Sequence, residues 1–573
     1  MTPPTTPVLP AAGAPFDLDA TLSSATRCAE ELRASQTVDD AAAALLRWDG
    51  VMAEQQTWSS SQSIRFRQDT SDETTRAAKE RLDESAGDLA ETRRVVLAAL
   101  ESLGEGIRAG LVERFGAAVL ERWRCELRTF DPSVSEALTA EQRVQSEAMT
   151  TTGSARVSFR GEEQTLPAVG AFLTSPDRAV RREAAVARWG WFDAHAKELD
   201  DQFARLVEIR HGIAESLGYP TFTGLGYDRM RRADFTPQDV ADFRAAVEEH
   251  VVPVAARIRE RQAKALGLDA VAVYDENVWC LDPSPSPEGD AEWLEARAAG
   301  MFAEVDAQAG TRLGELFGAM QRSELLDLKA RDGKGAGGFC SFLPSLGVPF
   351  IFANFNGTAG DVRVFTHEMG HAYQGWCSHG NVALTDQRRC TSETAEIHSM
   401  SLEFLTWPWM DRFFGEAAGR FRAEHLAQQL TFLPYGCSID HFQHEAYAHP
   451  EMSVRARHLV WQEIEGRYLP WRDWDGVPHG SRGAAWQAQL HVYQYPLYYI
   501  DYVLAAFVAL QFLGLSRRDP AAAWKSYQRL CELGGKLGFR ELVEEAGLRD
   551  PFDPKVVEDV TRESAAILDS VWA

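Results

Sequence analysis

The chain has 573 residues, of which 45% are apolar and 25% are charged, and its net charge is −25. This length is enough for several hydrophobic cores. A surface this acidic argues against nucleic acid or an anionic membrane as the partner. The longest apolar run, Val503–Leu515, is shorter than the ~20 residues that a membrane-spanning helix needs.

The first part of the chain predicts a tail followed by a helical lobe. Residues 1–17 are rich in Pro, Ala and Thr, which predicts a disordered tail. They contain neither the basic start nor the apolar stretch of a signal peptide. Residues 18–147 consist of long Ala, Leu, Glu and Arg stretches that favour helices, and residues 150–166 predict a short hairpin. We therefore expect an N-terminal helical lobe over residues 18–175.

The remaining residues, 176–573, are expected to form the second and larger domain. Short apolar runs bounded by Gly and Pro between Leu325 and Gly357 predict a small sheet. Within it, Val348–Phe355 is a candidate edge strand that could bind an extended peptide, with a plain core strand as the alternative. The next helix is expected to begin with a capping box formed by Thr358 and Asp361. The fold class is therefore mainly α, with one small β-sheet directly before this helix.

The segment FTHEMGHAYQGW, residues 365–376, carries two histidines four residues apart, with a glutamate after the first. On a helix, His367 and His371 project from one face, so that both imidazoles can reach one metal ion. Glu368 is rotated by about 100° from His367. From there it can take a proton from a water held on the metal, as in zinc peptidases. The alternative is a helix with two solvent-facing histidines.

A catalytic zinc also needs a third protein ligand and an open position. The segment TSETAEIHSMSLEFL, residues 391–405, predicts a helix with a stripe of carboxylates. Surface carboxylates commonly line up in this way without any function. Because the upstream histidine helix needs a carboxylate, we predict Glu396 as the third ligand. Glu403 or Glu393 would then accept a hydrogen bond from a ligand histidine.

These residues resemble the thimet-oligopeptidase-like zinc metallopeptidase family, and within it the oligoendopeptidase F branch. The resemblance is carried by FTHEMGHAYQ and AEIHSMSLE, with Glu396 twenty-five residues after His371, and by GKGAGGFC, IDHFQHEAY and HVYQYPLYYIDY. It extends from about residue 180 to the C-terminus. It implies a large helical zincin-like body, with two lobes around a deep substrate channel and zinc at its floor. The implied activity is cleavage of short peptides at internal bonds.

The segment HVYQYPLYYIDYVLAAF, residues 491–507, supplies further candidates. Pro496 suits the first turn of a helix, and tyrosines at helical spacing are usually core residues. The resemblance implies instead that a His and Tyr pair from this segment donates hydrogen bonds to the developing oxyanion. The spacing from His491 to Tyr502 is about one residue tighter than in the family pattern. The candidate residues are Tyr502, His491, Tyr495 and Tyr499.

Two other motifs are interpreted as structural. GKGAGG, residues 333–338, formally fits a dinucleotide-binding pattern, but no apolar strand precedes it and no helix is expected after it. Its glycines favour a tight turn or a loop that approaches the substrate closely. HFQHEAYAH, residues 441–449, places two histidines on one helix face without a third ligand. We predict cleft wall or core there, with Tyr447 or His441 as candidates for substrate contact.

The predicted function is therefore that of a metallo-oligoendopeptidase with one Zn²⁺ per chain and oligopeptide substrates. A zinc carboxypeptidase is the first alternative, but it needs an Arg or Lys for the terminal carboxylate, and the sequence singles out none. A non-catalytic zinc scaffold is the second. It is disfavoured because structural sites usually use Cys ligands, and Cys377 and Cys390 do not fit a set with His367. The eight cysteines include no CxxC pair, so we expect reduced thiols and a cytoplasmic protein.

Overall fold

The computed structural model describes residues 9–572, and this part of the chain is mostly helical, with 26 α-helices and five short strands. The predicted fold class, mainly α with a small sheet, is confirmed. The chain forms two compact units, each assembled from three separate stretches. Unit 1 comprises Met1–Leu127, Pro285–Ala418 and Val508–Arg549, and unit 2 comprises Arg128–Ser284, Gly419–Phe507 and Asp550–Ala573. The predicted domain division at residue 175 stays a prediction.

The first stretch of each unit is almost entirely helical. In unit 1 the helices are α1 (Leu18–Ala34), α2 (Val38–Gln68), α3 (Glu73–Glu84), α4 (Ala86–Glu101), α5 (Glu105–Phe115) and α6 (Ala117–Arg128). In unit 2 the elements are α7 (Ser135–Gly153), β1 (Val157–Phe159), β2 (Glu162–Gln164), α8 (Leu166–Ala171), α9 (Arg178–Ser216), α10 (Phe222–Arg229), α11 (Pro237–Ala246) and α12 (Val252–Ala265). Strands β1 and β2 pair antiparallel, so the hairpin predicted within residues 150–166 is confirmed.

The rest of the chain adds the sheet of unit 1 and the remaining helices. In unit 1 the next elements are α13 (Ala291–Ala309), α14 (Leu313–Arg322), β3 (Leu326–Lys329), β4 (Phe339–Leu343), β5 (Val348–Phe355), α15 (Ala359–Asn381), α16 (Thr385–Arg388), α17 (Ser392–Leu405) and α18 (Asp411–Phe414). The last elements are α19 (Ala418–Ala448), α20 (Val454–Tyr468), α21 (Pro478–Ser481), α22 (His491–Gln494), α23 (Tyr499–Arg518), α24 (Pro520–Leu533), α25 (Phe539–Glu545) and α26 (Pro554–Val571).

The predicted tail is described only in part, because residues 1–8 lie outside the described residues. Residues 9–17 have no helix or strand but contact α2. The Trp58 Nε1–H donates to the carbonyl of Ala14 at 2.9 Å, and the Phe16 ring stacks on Trp58 with centroids 4.6 Å apart. The described part of the tail is therefore held on the surface of unit 1.

The sheet of unit 1 has the strand order β3-β5-β4. Strand β5 runs parallel to β3 and antiparallel to β4. The prediction that Val348–Phe355 is an edge strand is therefore wrong, and the core-strand alternative holds. The physical reason lies in its composition, because a continuous apolar run is typical of a strand covered on both faces. Strand β4, which is less apolar and only partly buried, lies at an edge.

Helix α15 follows β5 directly and packs against α17, α24 and the sheet. Its close approach to α17 depends on Gly370, since a Cβ at this position would lie 2.5 Å from the His398 carbonyl oxygen. A larger residue would push the two helices apart. Gly370 therefore brings the histidines of α15 close to the glutamates of α17.

Helix α23 is, in the described part of the chain, the one helix long and apolar enough to cross a membrane by length and composition. Most of this helix is buried inside the protein. Buried apolar helices of this kind are typical of the core of a soluble protein.

Candidate metal centre and its surroundings

Helix α15 begins at the predicted position, but the predicted capping box is not formed. Thr358 is the N-cap residue, yet its side chain makes no capping hydrogen bond. The Asp361 carboxylate instead accepts hydrogen bonds from the N–H groups of Asn356 at 3.0 Å and Gly357 at 2.7 Å. Asp361 therefore fixes the turn between β5 and α15, and with it the start of the histidine helix.

The structure brings His367, His371 and Glu396 together. The potential ligand atoms of the three residues all lie within 4.8 Å of one another. Glu396 Oε2 is 3.2 Å from His367 Nε2 and 3.7 Å from His371 Nε2. Ligand atoms around a tetrahedral zinc with bonds near 2.1 Å lie about 3.4 Å apart, so these separations fit the ion. Elsewhere in residues 9–572, His, Cys, Asp and Glu form no comparable group.

A second layer of side chains orients two of these residues. His367 Nδ1–H donates to Glu403 Oε1 at 2.9 Å, which leaves Nε2 facing Glu396. The Ser399 hydroxyl donates to Glu396 Oε2 at 3.0 Å. Glu393, the other candidate for the supporting role, accepts a hydrogen bond from the Thr391 hydroxyl instead. Of the two alternatives left open by the sequence, Glu403 is the one that contacts a ligand histidine.

The electrostatics of the cluster favour a cation. Burial raises the pKa of Glu396, but the hydrogen bond with His367 and the electrostatic effect of the neighbouring imidazoles outweigh it and lower the pKa to about 2. Burial lowers the pKa of His367, but Glu396 and Glu403 outweigh it and raise the pKa well above the ordinary value. Burial also lowers the pKa of His371 to about 4. His371 is therefore neutral near pH 7, which is the form that binds metals.

Glu368 is 7% exposed and has the opposite pKa shift to Glu396. Burial, followed by the negative charges of Glu396 and Glu403, raises the pKa of Glu368 to about 7, although His367 and a backbone hydrogen bond from Cys340 act against this. A carboxylate with a pKa near 7 is suited to accept and return a proton at neutral pH. The opposite pKa shifts therefore distinguish Glu396, the candidate metal ligand, from Glu368, the candidate base.

The glycine-rich segment 333–338 lies in the loop between β3 and β4. A strand and not a helix follows it, so the segment lacks the structural context of a dinucleotide-binding site. The Lys334 ammonium donates to Asp327 at 2.8 Å and to the Ala353 carbonyl at 2.6 Å, which ties the loop to the sheet. A Cβ at Gly338 would be 3.8 Å from Glu368 Oε1. The loop backbone therefore approaches the candidate base closely, and its predicted approach to the substrate stays a prediction.

The four aromatic candidates of segment 491–507 lie in unit 2 and form one cluster. The centroid of the His491 ring is 5.2 Å from that of Tyr499 and 6.1 Å from those of Tyr495 and Tyr502. Tyr498 completes the cluster and stacks on His491 at 6.0 Å. Tyr499 is buried, and burial raises its pKa well above the ordinary value, whereas Tyr495 is 60% exposed. The roles of these residues stay predictions.

Two residues that sequence reasoning missed hold His491. Gln489 Nε2 donates to His491 Nδ1 at 2.6 Å, and the Tyr435 hydroxyl donates to Gln489 Oε1 at 3.1 Å. Tyr435 belongs to α19, more than fifty residues earlier in the chain. No local signal in the sequence connects it with the histidine.

The turn before α23 also differs from the prediction. Helix α23 begins at Tyr499, so Pro496 precedes it instead of occupying its first turn. The reason is Leu497, whose φ of +64° is incompatible with a helix. The Leu497 N–H donates to Gln443 Oε1 at 2.9 Å, and its carbonyl accepts from Arg232 at 2.6 Å. These two bonds hold a strained turn beside the aromatic cluster.

The histidine-rich segment 441–449 lies in unit 2 and is buried over part of its length, while Ala448 and His449 are exposed. His444 lies 3.4 Å from the Tyr227 hydroxyl, and the Tyr447 hydroxyl accepts a hydrogen bond from Arg210 at 2.7 Å. Tyr447 is 1% exposed, so it is a core residue and not a substrate contact. His441 is only partly buried.

A cavity of about 470 Å³ lies beside His371. We call it the β4 cavity, because β4 forms one wall. The other walls come from α2, α15, α16 and Ala395 at the start of α17. Its volume is in the range of ligand-binding pockets. The sequence did not indicate this cavity, since its walls come from four distant segments.

Two parts of the chain match known protein families. Residues 314–561 match peptidase family M3, and residues 14–130 match the peptidase M3 N-terminal domain. No curated protein sequence gave a significant match. The structure is similar to that of a Pz peptidase A with an inhibitor, with 36% identity, a TM-score of 0.89, and coverage of 97% of this chain and 98% of that chain.

Two further solved structures carry a provisional oligoendopeptidase F name. The first has 38% identity, a TM-score of 0.89 and coverage of 97% of both chains. The second, from Bacillus anthracis, has 34% identity, a TM-score of 0.84, and coverage of 97% of this chain and 96% of that chain.

Proposed function

Because the chain belongs to peptidase family M3, we propose that it is a zinc-dependent endopeptidase acting on short unstructured peptides. The metal ligands are His367, His371 and Glu396, and Glu368 is the general base. The observation that carries the proposal is the convergence of these four side chains from two helices, with the separations described above. Structures named oligoendopeptidase F match over 97% of the chain, which favours internal cleavage over the carboxypeptidase alternative.

The donor set of two imidazole nitrogens and one carboxylate oxygen fits Zn²⁺. When bound, zinc would act as a Lewis acid that polarises the scissile carbonyl and lowers the pKa of a coordinated water. Glu403 holds the His367 ring through Nδ1, and Ser399 holds the Glu396 carboxylate. Both contacts pre-orient the ligands, so that less conformational entropy is lost when the site binds its metal and substrate.

The proposed catalytic step needs proton transfer at Glu368. Its carboxylate takes a proton from the attacking water and returns it to the amine of the leaving peptide. The oxyanion that develops on the scissile carbonyl needs neutral hydrogen-bond donors. We assign this role to Tyr502 with His491, Tyr495 and Tyr499 as the other candidates, and this assignment rests on the family resemblance.

The open edge of β4 is the proposed position for the substrate backbone. An extended peptide could add to this edge through main-chain hydrogen bonds, which depend little on the side chains of the peptide. Strand β5 cannot serve, since it is paired on both sides. The β4 cavity lies along the same strand and reaches His371, so a peptide on this edge would pass beside the metal ligands.

The compartment we propose is the cytoplasm. All eight cysteines are free thiols, which suits a reducing environment. The acidic net charge of −25 is the reason to expect neither nucleic acid nor an anionic membrane as a partner.

The experiment that tests the proposal is a digest of a ten-residue peptide blocked at both ends, with the products read by mass spectrometry. We expect cuts at internal bonds, loss of activity after chelation and recovery after one equivalent of Zn²⁺. Stepwise loss of C-terminal residues from unblocked peptides, with no cleavage of blocked ones, would favour the carboxypeptidase instead.

A further inference from the structure

The β4 cavity has an unusual charge for this protein. The chain as a whole carries a net charge of −25, yet no Asp or Glu from the described residues lines the cavity. Its charged lining residues are Arg388 and Arg389. His371 also lines the cavity. A positive cavity in an acidic protein attracts anions to one place while the rest of the surface repels them.

The Arg388 guanidinium has hydrogen-bond donors that the described residues do not use. Its Nη2 donates to the backbone carbonyl of Ala383 at 3.0 Å, with a longer contact of 3.4 Å to Val382. Its Nε is buried and has no hydrogen-bond partner among the described residues, and none of their carboxylates lies within the 4.0 Å of an ion pair. Asp49 attracts Arg388 through its charge, but its carboxylate oxygens accept hydrogen bonds from the N–H and the hydroxyl of Thr385 at 2.7 and 3.0 Å. The Arg388 side chain is partly buried and only its Nε is fully covered, so its remaining donors can bind a carboxylate that a ligand supplies.

The backbone that carries Arg388 is held rigidly within unit 1. Helix α16 has only four residues, but Asp386 is bound by Arg93 at 2.8 Å and by the Trp123 Nε1–H at 2.7 Å. The Gln374 side chain, from the helix of the metal ligands, donates to the Arg388 carbonyl at 3.0 Å. Such anchoring pre-organises the guanidinium, so that little entropy is lost when it binds an anion.

On the basis of the proposed function, we infer that Arg388 is a specificity residue that binds a carboxylate of the peptide substrate in the β4 cavity. A guanidinium can donate two parallel hydrogen bonds to one carboxylate. The carboxylate can come from the free C-terminus of the substrate or from an Asp or Glu side chain near the bond that is cut. Either source would fix the position of the cut relative to a negative charge.

The test measures binding, so that it does not depend on turnover. A fluorescently labelled ten-residue neutral peptide with an amidated C-terminus is compared with its free-acid form and with amidated forms that carry one Glu at each internal position in turn. Fluorescence anisotropy is recorded at low salt with the zinc-loaded Glu368→Gln protein. We expect at least one carboxylate form to bind about tenfold or more tightly than the neutral amide, as is typical of a charged hydrogen bond. Tighter binding of the free acid would identify the C-terminus as the bound carboxylate, and tighter binding of a Glu-containing form would identify a side chain.

Substitutions at Arg388 then test whether this residue causes the preference for carboxylate peptides. In the same background, Arg388→Gln should reduce the preference for the carboxylate peptide over the neutral amide to less than about threefold. Arg388→Lys keeps the positive charge but loses the paired donors of the guanidinium, so it should retain only part of this preference. The control is Arg114→Gln, an exposed arginine paired with Asp39, which should leave the preference unchanged. If Arg388→Gln does not fold, Arg388→Lys decides.

Two results would overturn the inference. One is equal binding of all forms by the protein with Arg388 intact, and the other is a preference that survives substitution of Arg388. Cleavage of the neutral amide by the wild-type enzyme is measured separately. Absence of this cleavage together with an Arg388-dependent preference would refute the proposed endopeptidase and leave the carboxylate site standing.

Discussion

At the scale of single residues, metal binding and proton transfer are assigned to different side chains, so that each can be tested separately. Glu368→Gln keeps the size of the side chain but removes its ability to take a proton. We expect the variant to keep its zinc and its affinity for peptides while kcat falls by about 10²–10⁴-fold. Zinc analysis and steady-state kinetics provide the measurement, with Glu113→Gln on the exposed face of α5 as the control. Retention of more than a few per cent of wild-type kcat would exclude Glu368 as the base.

Tyr502 is the second residue whose role can be isolated. Tyr502→Phe removes one hydroxyl group and almost no volume. If this hydroxyl stabilises the oxyanion, kcat should fall about 10²-fold or more with KM little changed. Tyr498→Phe, from the same aromatic cluster, is the matched control and should keep most of its activity. Normal kcat in Tyr502→Phe together with a lower melting temperature would make Tyr502 a core residue.

At the scale of elements, the site depends on how closely α15 and α17 pack. Gly370→Ala would place a methyl group 2.5 Å from the His398 carbonyl oxygen. The helices must then separate, so we expect a loss of about 1–3 kcal/mol in stability and weaker zinc binding. Gly212→Ala in α9 is the control, since a Cβ there meets nothing within 4 Å and should be neutral or slightly stabilising. Equal zinc affinity and equal thermal stability for Gly370→Ala and wild type would contradict this account of the packing.

The helices and strands of the site differ in how far the sequence could predict their arrangement. Helical register predicted that His367 and His371 share one face, because spacing along a helix is a local property. Glu396 lies on another helix, and its prediction came from the need for a third ligand and from the family resemblance. The strand order was not local, and β5 was mistaken for an edge although its apolar run was consistent with a central strand. Long-range packing within unit 1 forms the walls of the β4 cavity around Arg388, and long-range packing within unit 2 brings Tyr435 to Gln489. No spacing rule reaches across such distances in the chain.

At the scale of the whole molecule, the proposed substrate position limits what the enzyme can cut. A peptide that adds to the edge of β4 must be extended, and a folded protein would first have to unfold at a cost of about 5–15 kcal/mol. We therefore expect fast cleavage of one sequence as a free peptide and slow cleavage of the same sequence as a loop in a stable protein. The measurement is kcat/KM for the two forms. Comparable values would indicate a general endoprotease.

The most direct test of the central claim is the zinc content of three proteins. We predict one zinc per chain in the wild type, strongly reduced zinc in Glu396→Ala, and unchanged zinc in Glu393→Ala, whose side chain binds Thr391 and not a ligand histidine. All three are dialysed against the same weak chelator before metal analysis, and their circular dichroism spectra confirm that they are folded. Full zinc in Glu396→Ala, or loss of zinc only in Glu393→Ala, would contradict the ligand set of His367, His371 and Glu396.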